Sequence, residues 1–415
     1  MESWLTKLGS IKNNMLVFIK WLLLSCFVGM LVGICGVLFH EATEYGGMLR
    51  EKFWWFLLLL PVAGLLIVFC YRKCGMKNDR GTNYVMVAVR ENEPMHLRTA
   101  PLIFIATALT QLCGGSAGRE GAALQMGGAI ANTLGEIFHL DEKDLRVMTM
   151  CGMAAGFSAL FGTPIASAVF AMEVVSVGVM YYAAIVPCIL ASLIAYLTAQ
   201  ACGIQESTFF MGLVPMLSMG TVLRVILLGV LCAVVAVYIC RVFGMAHRLF
   251  THHVPNPYLR IITGSVIVIV FSLLARNGDY NGMGLGVIEN AVGGSAHPGA
   301  FLLKLVLTAV TLGAGFKGGE IVPTFFIGAT FGCTAGALLG LPAGFAGALG
   351  LTAVFCGVTN CPLTSVILAF ELFGGGGLPL FALICAVSYM LSGYSGLYSE
   401  QRIVYSKLRA ELHRL

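Results

Sequence analysis

Two glutamates stand where a carboxylate is costly. Glu120 lies in Gly114-Gly115-Ser116-Ala117-Gly118-Arg119-Glu120-Gly121-Ala122-Ala123-Leu124-Gln125, and residues 99–118 before it carry no charge. Glu320 lies in Gly313-Ala314-Gly315-Phe316-Lys317-Gly318-Gly319-Glu320-Ile321-Val322-Pro323, and Ile321 to Phe370 is uncharged. A charge at membrane depth costs roughly 2.5 to 3.5 kcal/mol on insertion scales and usually marks a pathway or a relay. Glycines let a backbone approach an ion closely, and the free N–H groups of a helix beginning near Glu120 form an anion site. A carboxylate at low dielectric holds a proton more readily than one in water. Ionised, Glu120 competes with an anion for that site; protonated, it leaves. Glu320 is a second proton-handling carboxylate on the same reading. The plain alternative is structural: Glu120 pairs with Arg119 to tether two helices, and Lys317 neutralises Glu320.

Other polar positions are weaker signals. In Asp79-Arg80-Gly81-Thr82-Asn83, the Thr82 hydroxyl and the N–H groups after Gly81 suit an anion, although such a stretch is also an ordinary turn or N-cap. Tyr398 offers a phenol donor; Tyr398 and Tyr405 also fit as interfacial aromatic anchors. Glu173 and Glu371 end helices against the dipole, so they are expected to cap a neighbouring loop or to pair with Arg or Lys. His40-Glu41-Ala42-Thr43-Glu44 lacks the second histidine of a zinc protease, and no serine elbow, P-loop or dinucleotide fingerprint appears. The fourteen cysteines, Cys70 and Cys74 included, read as small buried residues. No enzyme activity, cofactor or metal site is expected.

The elements that must position these residues come in two copies. Thr163-Pro164-Ile165-Ala166-Ser167-Ala168-Val169-Phe170-Ala171-Met172-Glu173 resembles Cys361-Pro362-Leu363-Thr364-Ser365-Val366-Ile367-Leu368-Ala369-Phe370-Glu371. Upstream of each lies a glycine-rich segment with a lone glutamate, followed eight residues later by Gly128 or Gly328. Paired glycine-interrupted segments point to a transporter site at a repeat interface. We divide the chain into a first membrane repeat, 1–210, and a second, 211–415, ending in a short cytoplasmic tail.

Bulk composition agrees. Hydrophobic residues are 58% and charged residues 11%, far from the average of soluble proteins. At about 20 apolar residues per span, 415 residues predict more than ten membrane segments. The run from Met15 contains Lys20 and no small-residue cleavage site, so it reads as a retained helix. The uncharged run 321–370 must hold at least two segments, broken and re-entrant. Basic clusters at Arg72-Lys73 through Lys77 and Arg80, Arg241 to Arg260, and Arg402 to Arg414 place both termini in the cytoplasm. The net charge of +5 is a positive-inside bias and not a sign of nucleic-acid binding.

Gly118-Arg119-Glu120-Gly121 with Gln125 resembles the filter motif of the CLC family of anion channels and anion/proton antiporters. Pro164 to Glu173 and Pro362 to Glu371 look like its other signature helices, and Tyr398 resembles its central tyrosine. The resemblance implies an all-α polytopic protein of the plasma (inner) membrane, an inverted-repeat bundle of tilted, broken and re-entrant helices. It implies a homodimer in the lipid bilayer, each subunit with its own pore. It makes Glu120 the gating glutamate and puts Gly81, Thr82, Asn83, Gly118, Arg119, Gly121, Ile321, Val322 and Tyr398 around the anion. Gly318-Gly319-Glu320 is more similar to the fluoride-exporting branch. Chloride antiporters often carry an inner proton glutamate where Val174 stands here, which leaves that step to Glu320. Thr82 and Val322 depart from the fluoride pattern, which commonly has Met or Asn at the first position and Thr at the second. The expected function is fluoride export by F−/H+ antiport; the alternatives are a Cl−/H+ antiporter or an uncoupled chloride channel.

Overall fold

Glycine and proline cut the apolar runs into helices of unequal length. The structure, a computed structural model, describes residues 2–76, 79–204, 208–276, 278–409 and 411–412, with backbone alone over 2–10. Lys77 and Arg414 of the basic clusters lie outside the described residues. The first eight helices are α1 (Glu2–Lys52), α2 (Leu60–Lys73), α3 (Thr82–Glu91), α4 (Thr99–Leu112), α5 (Glu120–Ile137), α6 (Glu142–Phe161), α7 (Pro164–Glu173) and α8 (Ile185–Ala201). They are answered in order by α9 (Met219–His253), α10 (Pro257–Ala275), α11 (Leu285–Val292), α12 (Ala300–Ala314), α13 (Ile321–Leu338), α14 (Ala343–Thr359), α15 (Pro362–Phe373) and α16 (Leu378–Leu391). The match extends to detail. Helices α5 and α13 both have 18 residues, and α6 and α14 both end on a left-handed residue, Gly162 and Asn360.

The expected membrane segments come in two lengths. Among the described residues, six helical stretches are long and apolar enough to cross a membrane, and the other apolar helices have 10–17 residues. Helix α4, with 14 residues, is about 21 Å long at 1.5 Å per residue, short of a hydrocarbon core of about 30 Å. Such half-length helices can begin in the middle of the protein and deliver their N-termini to an interior site.

Small residues let these helices pack closely. Gly127 of α5 meets Gly152 of α6 so tightly that a Cβ on either would strike the other's carbonyl oxygen. Gly328 of α13 repeats the contact, since a Cβ there would lie 2.6 Å from the Gly350 carbonyl oxygen of α14. Close backbone approach of this kind is how membrane helices gain dispersion energy where no hydrophobic effect drives them together.

The inversion is written into hydrogen bonds. Glu173, at the end of α7, accepts from the Leu363 and Thr364 N–H groups (3.1 and 2.9 Å) at the start of α15. Glu371, at the end of α15, accepts from the Ile165 and Ala166 N–H groups (2.9 and 2.8 Å) at the start of α7. The two helices therefore run antiparallel, each closed by the other's carboxylate. This replaces the loop cap or rim ion pair expected for both glutamates. A carboxylate at a helix C-terminus is unfavourable for its own helix, but each sits on the positive end of its neighbour. Gly118 and Gly319 form an antiparallel bridge, with N–O distances of 2.7 and 2.8 Å in its two directions. One minor departure from an all-α chain is a parallel pair of two-residue strands, β1 (Ser176–Val177) and β2 (Arg402–Ile403). It interrupts the apolar run after Glu173 and ties the segment following α16 beneath α7.

Glu371→Ala should lower stability by about 1 to 2 kcal/mol, the usual value of a helix N-cap, seen as a fall in the denaturation midpoint in detergent micelles. Glu371→Gln, which keeps an acceptor, should lose less. An unchanged midpoint in Glu371→Ala would show that the crossed caps contribute nothing.

Candidate functional site

Three helix N-termini converge behind the Gly118–Gly319 bridge. Helix α5 begins at Glu120, α13 at Ile321 and α3 at Thr82, so all three aim unpaired N–H groups inward. The Glu120 carboxylate turns back over its own helix start. Its Oε2 accepts from the Arg119 N–H at 3.0 Å, and the N–H groups of Glu120 and Val322 also face it. A side chain on Gly118 would overlap Glu120 Oε2, and one on Gly319 would lie 2.7 Å from the Gly121 backbone nitrogen. Both positions are therefore too tight for a side chain. A negative side chain therefore occupies the junction of α5 and α13, the place an anion would be held.

Beyond Gly121 lies a second cluster. A Cβ on Gly121 would be 2.7 Å from Thr82 Oγ1 and 3.4 Å from Glu320 Oε2, so the hydroxyl, the carboxylate and the bare backbone share one space. Tyr398 is buried at 4% exposure, and both Glu120 and Glu320 lie within electrostatic reach of its phenol. Three buried polar atoms here have no hydrogen-bond partner: Glu320 Oε2, Tyr398 Oη and Gln125 Oε1. Each such atom costs about 1 to 3 kcal/mol in a protein interior, so three together mark a site shaped for a polar guest. A cavity of about 960 Å³, lined by Arg72, Arg80, His247, Arg260 and Lys317, reaches Thr82 and Glu320. Glu120 does not line it, so the first carboxylate stands behind the second as seen from the cavity.

Among the described residues neither glutamate forms an ion pair. The Arg119 side chain turns away to α1, donating to Thr43 Oγ1 at 3.0 Å and to the His40 carbonyl at 3.5 Å. It tethers helices as expected, but without Glu120. Lys317 does not neutralise Glu320 by contact; its ammonium is 2.6 Å from Asp79 and lies over the Tyr71 ring. Gly81 has φ of +58°, a conformation that favours glycine, and its N–H donates to Asp79 Oδ1 at 3.3 Å. The Asn83 side chain faces elsewhere and accepts from the Glu400 N–H at 3.2 Å. Ile321 and Val322 are buried, and only the backbone of Val322 faces Glu120. Tyr405 is 47% exposed and away from the cluster.

Sequence reasoning missed Gln401. Its Nε2 donates to the carbonyls of Val174 and Thr359 (2.8 and 2.7 Å), and its Oε1 accepts from Asn360 Nδ2 at 2.8 Å. It closes the ends of α7 and α14 and fixes the segment that carries Tyr398. No sequence signal marks a glutamine in a polar stretch for that task. Among the described residues no group of three or more His, Cys, Asp or Glu is placed to hold a metal ion.

Residues 63–393 match the family described as "Voltage gated chloride channel". A "Chloride/fluoride channel protein" of Pseudomonas syringae pv. tomato is 37% identical over 406 residues, 94% of this chain and 87% of that protein. The "H(+)/Cl(-) exchange transporter ClcA" of Vibrio cholerae is 26% identical over 422 residues, 95% of this chain and 89% of that protein. The crystal structure of a CLC-type fluoride/proton antiporter superposes with a TM-score of 0.90 at 33% identity, covering 93% of this chain and 98% of that one. A slow cyanobacterial Cl−/H+ antiporter shares the fold at 17% identity, with a TM-score of 0.78 and coverage of 90% and 94%.

Gly121→Ala should weaken halide binding to the purified chain by about tenfold, as overpacking of 1 to 3 kcal/mol implies, measured by titration calorimetry. The double variant Gly121→Ala with Thr82→Ala should regain part of the loss. Unchanged binding in the single variant would remove Gly121 from the site.

Proposed function

The chain belongs to the voltage gated chloride channel family, and from that premise we propose that it exports fluoride in exchange for protons. One observation carries this reading: two glutamates without ion-pair partners, Glu120 and Glu320, stand in series beside the Thr82 hydroxyl and the Tyr398 phenol. Supporting it are a relative described as a chloride/fluoride channel protein and the likeness to a fluoride/proton antiporter.

In this mechanism the anion enters from the basic cavity and lies near Thr82 and Tyr398. Hydroxyl donors and the N–H groups of Thr82, Asn83, Arg119, Gly121, Ile321 and Val322 at or beside the three helix starts favour negative charge there, while Gly81 and Gly118 shape the backbone beside it. Glu120 in its ionised form fills the junction of α5 and α13. When it takes up a proton its claim on those N–H groups weakens, it swings out, and the anion moves into its place. Glu320 passes the proton on to the cavity, since Val174 stands where a carboxylate would offer a separate route and its carbonyl is engaged by Gln401. Transport, not bond-making chemistry, is the activity assigned. The protein acts as a homodimer in the plasma membrane, one path per subunit, with both termini cytoplasmic and the cavity opening to that side. Residues 1–210 and 211–415 form its two membrane repeats.

A specific observation keeps a second reading in play. The Thr82 hydroxyl faces the site, and a buried valine, Val322, stands two residues after Glu320. Thr82 is chemically nearer the serine of chloride members and Val322 departs from the fluoride pattern, so Cl−/H+ exchange is the runner-up and an uncoupled channel the third possibility.

Efflux from proteoliposomes, followed with fluoride and chloride electrodes under an imposed proton gradient, separates the three. Fluoride moving uphill supports the first reading and chloride moving uphill the second. Downhill movement alone leaves a channel. Glu120→Gln should abolish proton uptake coupled to anion efflux, and full coupling in that variant would falsify the role given to Glu120. Glu320→Gln should also lose coupling while still passing anions. Thr82→Met and Val322→Thr should each raise the preference for fluoride; if neither moves the halide ratio, those positions do not set it.

A further inference from the structure

The stretch Gly114 to Gly118 forms neither helix nor extended sheet, so neighbouring elements must hold it. Helix α12 supplies two of the holds. The Ser116 N–H donates to Thr311 Oγ1 at 3.1 Å, and the hydroxyls of Ser116 and Thr308 are 3.1 Å apart. The loop over 278–284 supplies two more. Asn281 Nδ2 donates to the Gly114 carbonyl at 2.6 Å, and the Gly282 N–H donates to the Gly115 carbonyl at 3.1 Å. Gln111 Nε2 donates to the Ala117 carbonyl at 2.6 Å.

Behind this scaffold lies Lys304. It shares one face of α12 with Thr308 and Thr311, at i, i+4 and i+7. Its side chain is 0% exposed. The ammonium donates to the carbonyls of Gly282 (2.6 Å) and Tyr280 (3.1 Å), and it lies 5.1 Å from the ring centre of Phe326 on α13. Among the described residues no carboxylate forms an ion pair with it. The neighbouring charge is another cation, Arg50, whose guanidinium donates to the Gln111 carbonyl at 3.0 Å. Among the described residues two basic side chains thus back the filter stretch, and Lys304 is in no ion pair. Methionine would fill nearly the same volume without desolvating a charge, so packing alone does not account for a lysine here.

We propose that Lys304 is a positioning residue for the anion path. Its ammonium fixes the 278–284 loop, the loop fixes Gly114 to Gly118, and that stretch sets where the N–H groups at Gly118 to Gly121 meet the anion. Lys304 touches neither the ion nor Glu120, so it acts on affinity and leaves proton handling alone. The inference rests on the reading of Gly118 to Gly121 as a wall of the path.

The test uses the full chain in proteoliposomes. Lys304→Met should raise the half-saturating fluoride concentration about tenfold, the factor expected for loss of one charge-assisted hydrogen bond. Protons moved per fluoride should stay at the wild-type value. Lys304→Arg, which keeps the charge, should fall between the two. If Lys304→Met does not yield folded protein by size-exclusion chromatography, Asn281→Ala carries the test: it cuts the link to Gly114 and should shift half-saturation in the same direction. Wild-type half-saturation in the variant tested overturns the proposal. So does an altered proton count at unchanged affinity, or a Lys304→Arg protein as impaired as Lys304→Met. A wild-type chain that moves no halide defeats the transport reading itself, which is a separate outcome from any of these.

Discussion

The pair of hydrogen bonds between Gly118 and Gly319 joins the two halves of this molecule at the point where their chemistry lies. Each glycine both donates to and accepts from the other, so neither repeat can shift along the bridge without breaking its counterpart's bond. Helices α5 and α13 begin within two residues of the bridge, and their positive ends are thereby brought face to face. Positive helix ends repel unless negative charge lies between them. The Glu120 carboxyl lies between them in the structure, and in the proposed mechanism a transported anion takes the same place.

Much of this was legible in the residues. The lone glutamates, the glycines around them and the doubled Pro-to-Glu segments pointed to the repeat, the membrane class and two buried carboxylates that the fold brings together, because each is an expensive or conformationally specific choice. Other features were hidden by ordinary chemistry. Glu173 and Glu371 looked out of place because the dipole of their own helix is local, whereas the helix each one closes lies about 190 to 206 positions away in sequence. Lys317 lay three residues from Glu320 and seemed its natural partner, but it precedes the start of α13 in a non-helical stretch and faces Asp79 instead. Which segments are half-length was hidden for a related reason. Hydropathy records how apolar a segment is and not whether its end is meant to stop inside the protein.

The placement of charge follows a single rule. Cations that pair with acids, Lys317 with Asp79 and Arg90 with Glu400, lie along the cavity or by the segment after α16. Deeper in, Arg119, Arg50 and Lys304 donate to carbonyls and hydroxyls instead. A deep acid partner would cancel the attraction felt by a passing anion. Carbonyl acceptors satisfy the hydrogen-bonding of a cation while leaving its net charge in place.

The segment holding Tyr398 follows all sixteen helices in chain order and is fastened by Gln401 to the ends of α7 and α14, one from each half. During synthesis both halves must therefore be inserted and docked before the phenol has a seat. Until then the polar chamber lacks a wall, and the helix ends that Gln401 satisfies are open to water. Completion of the ion path thus becomes a late event of biogenesis, and a bilayer receiving half-built chains is spared a finished conduit.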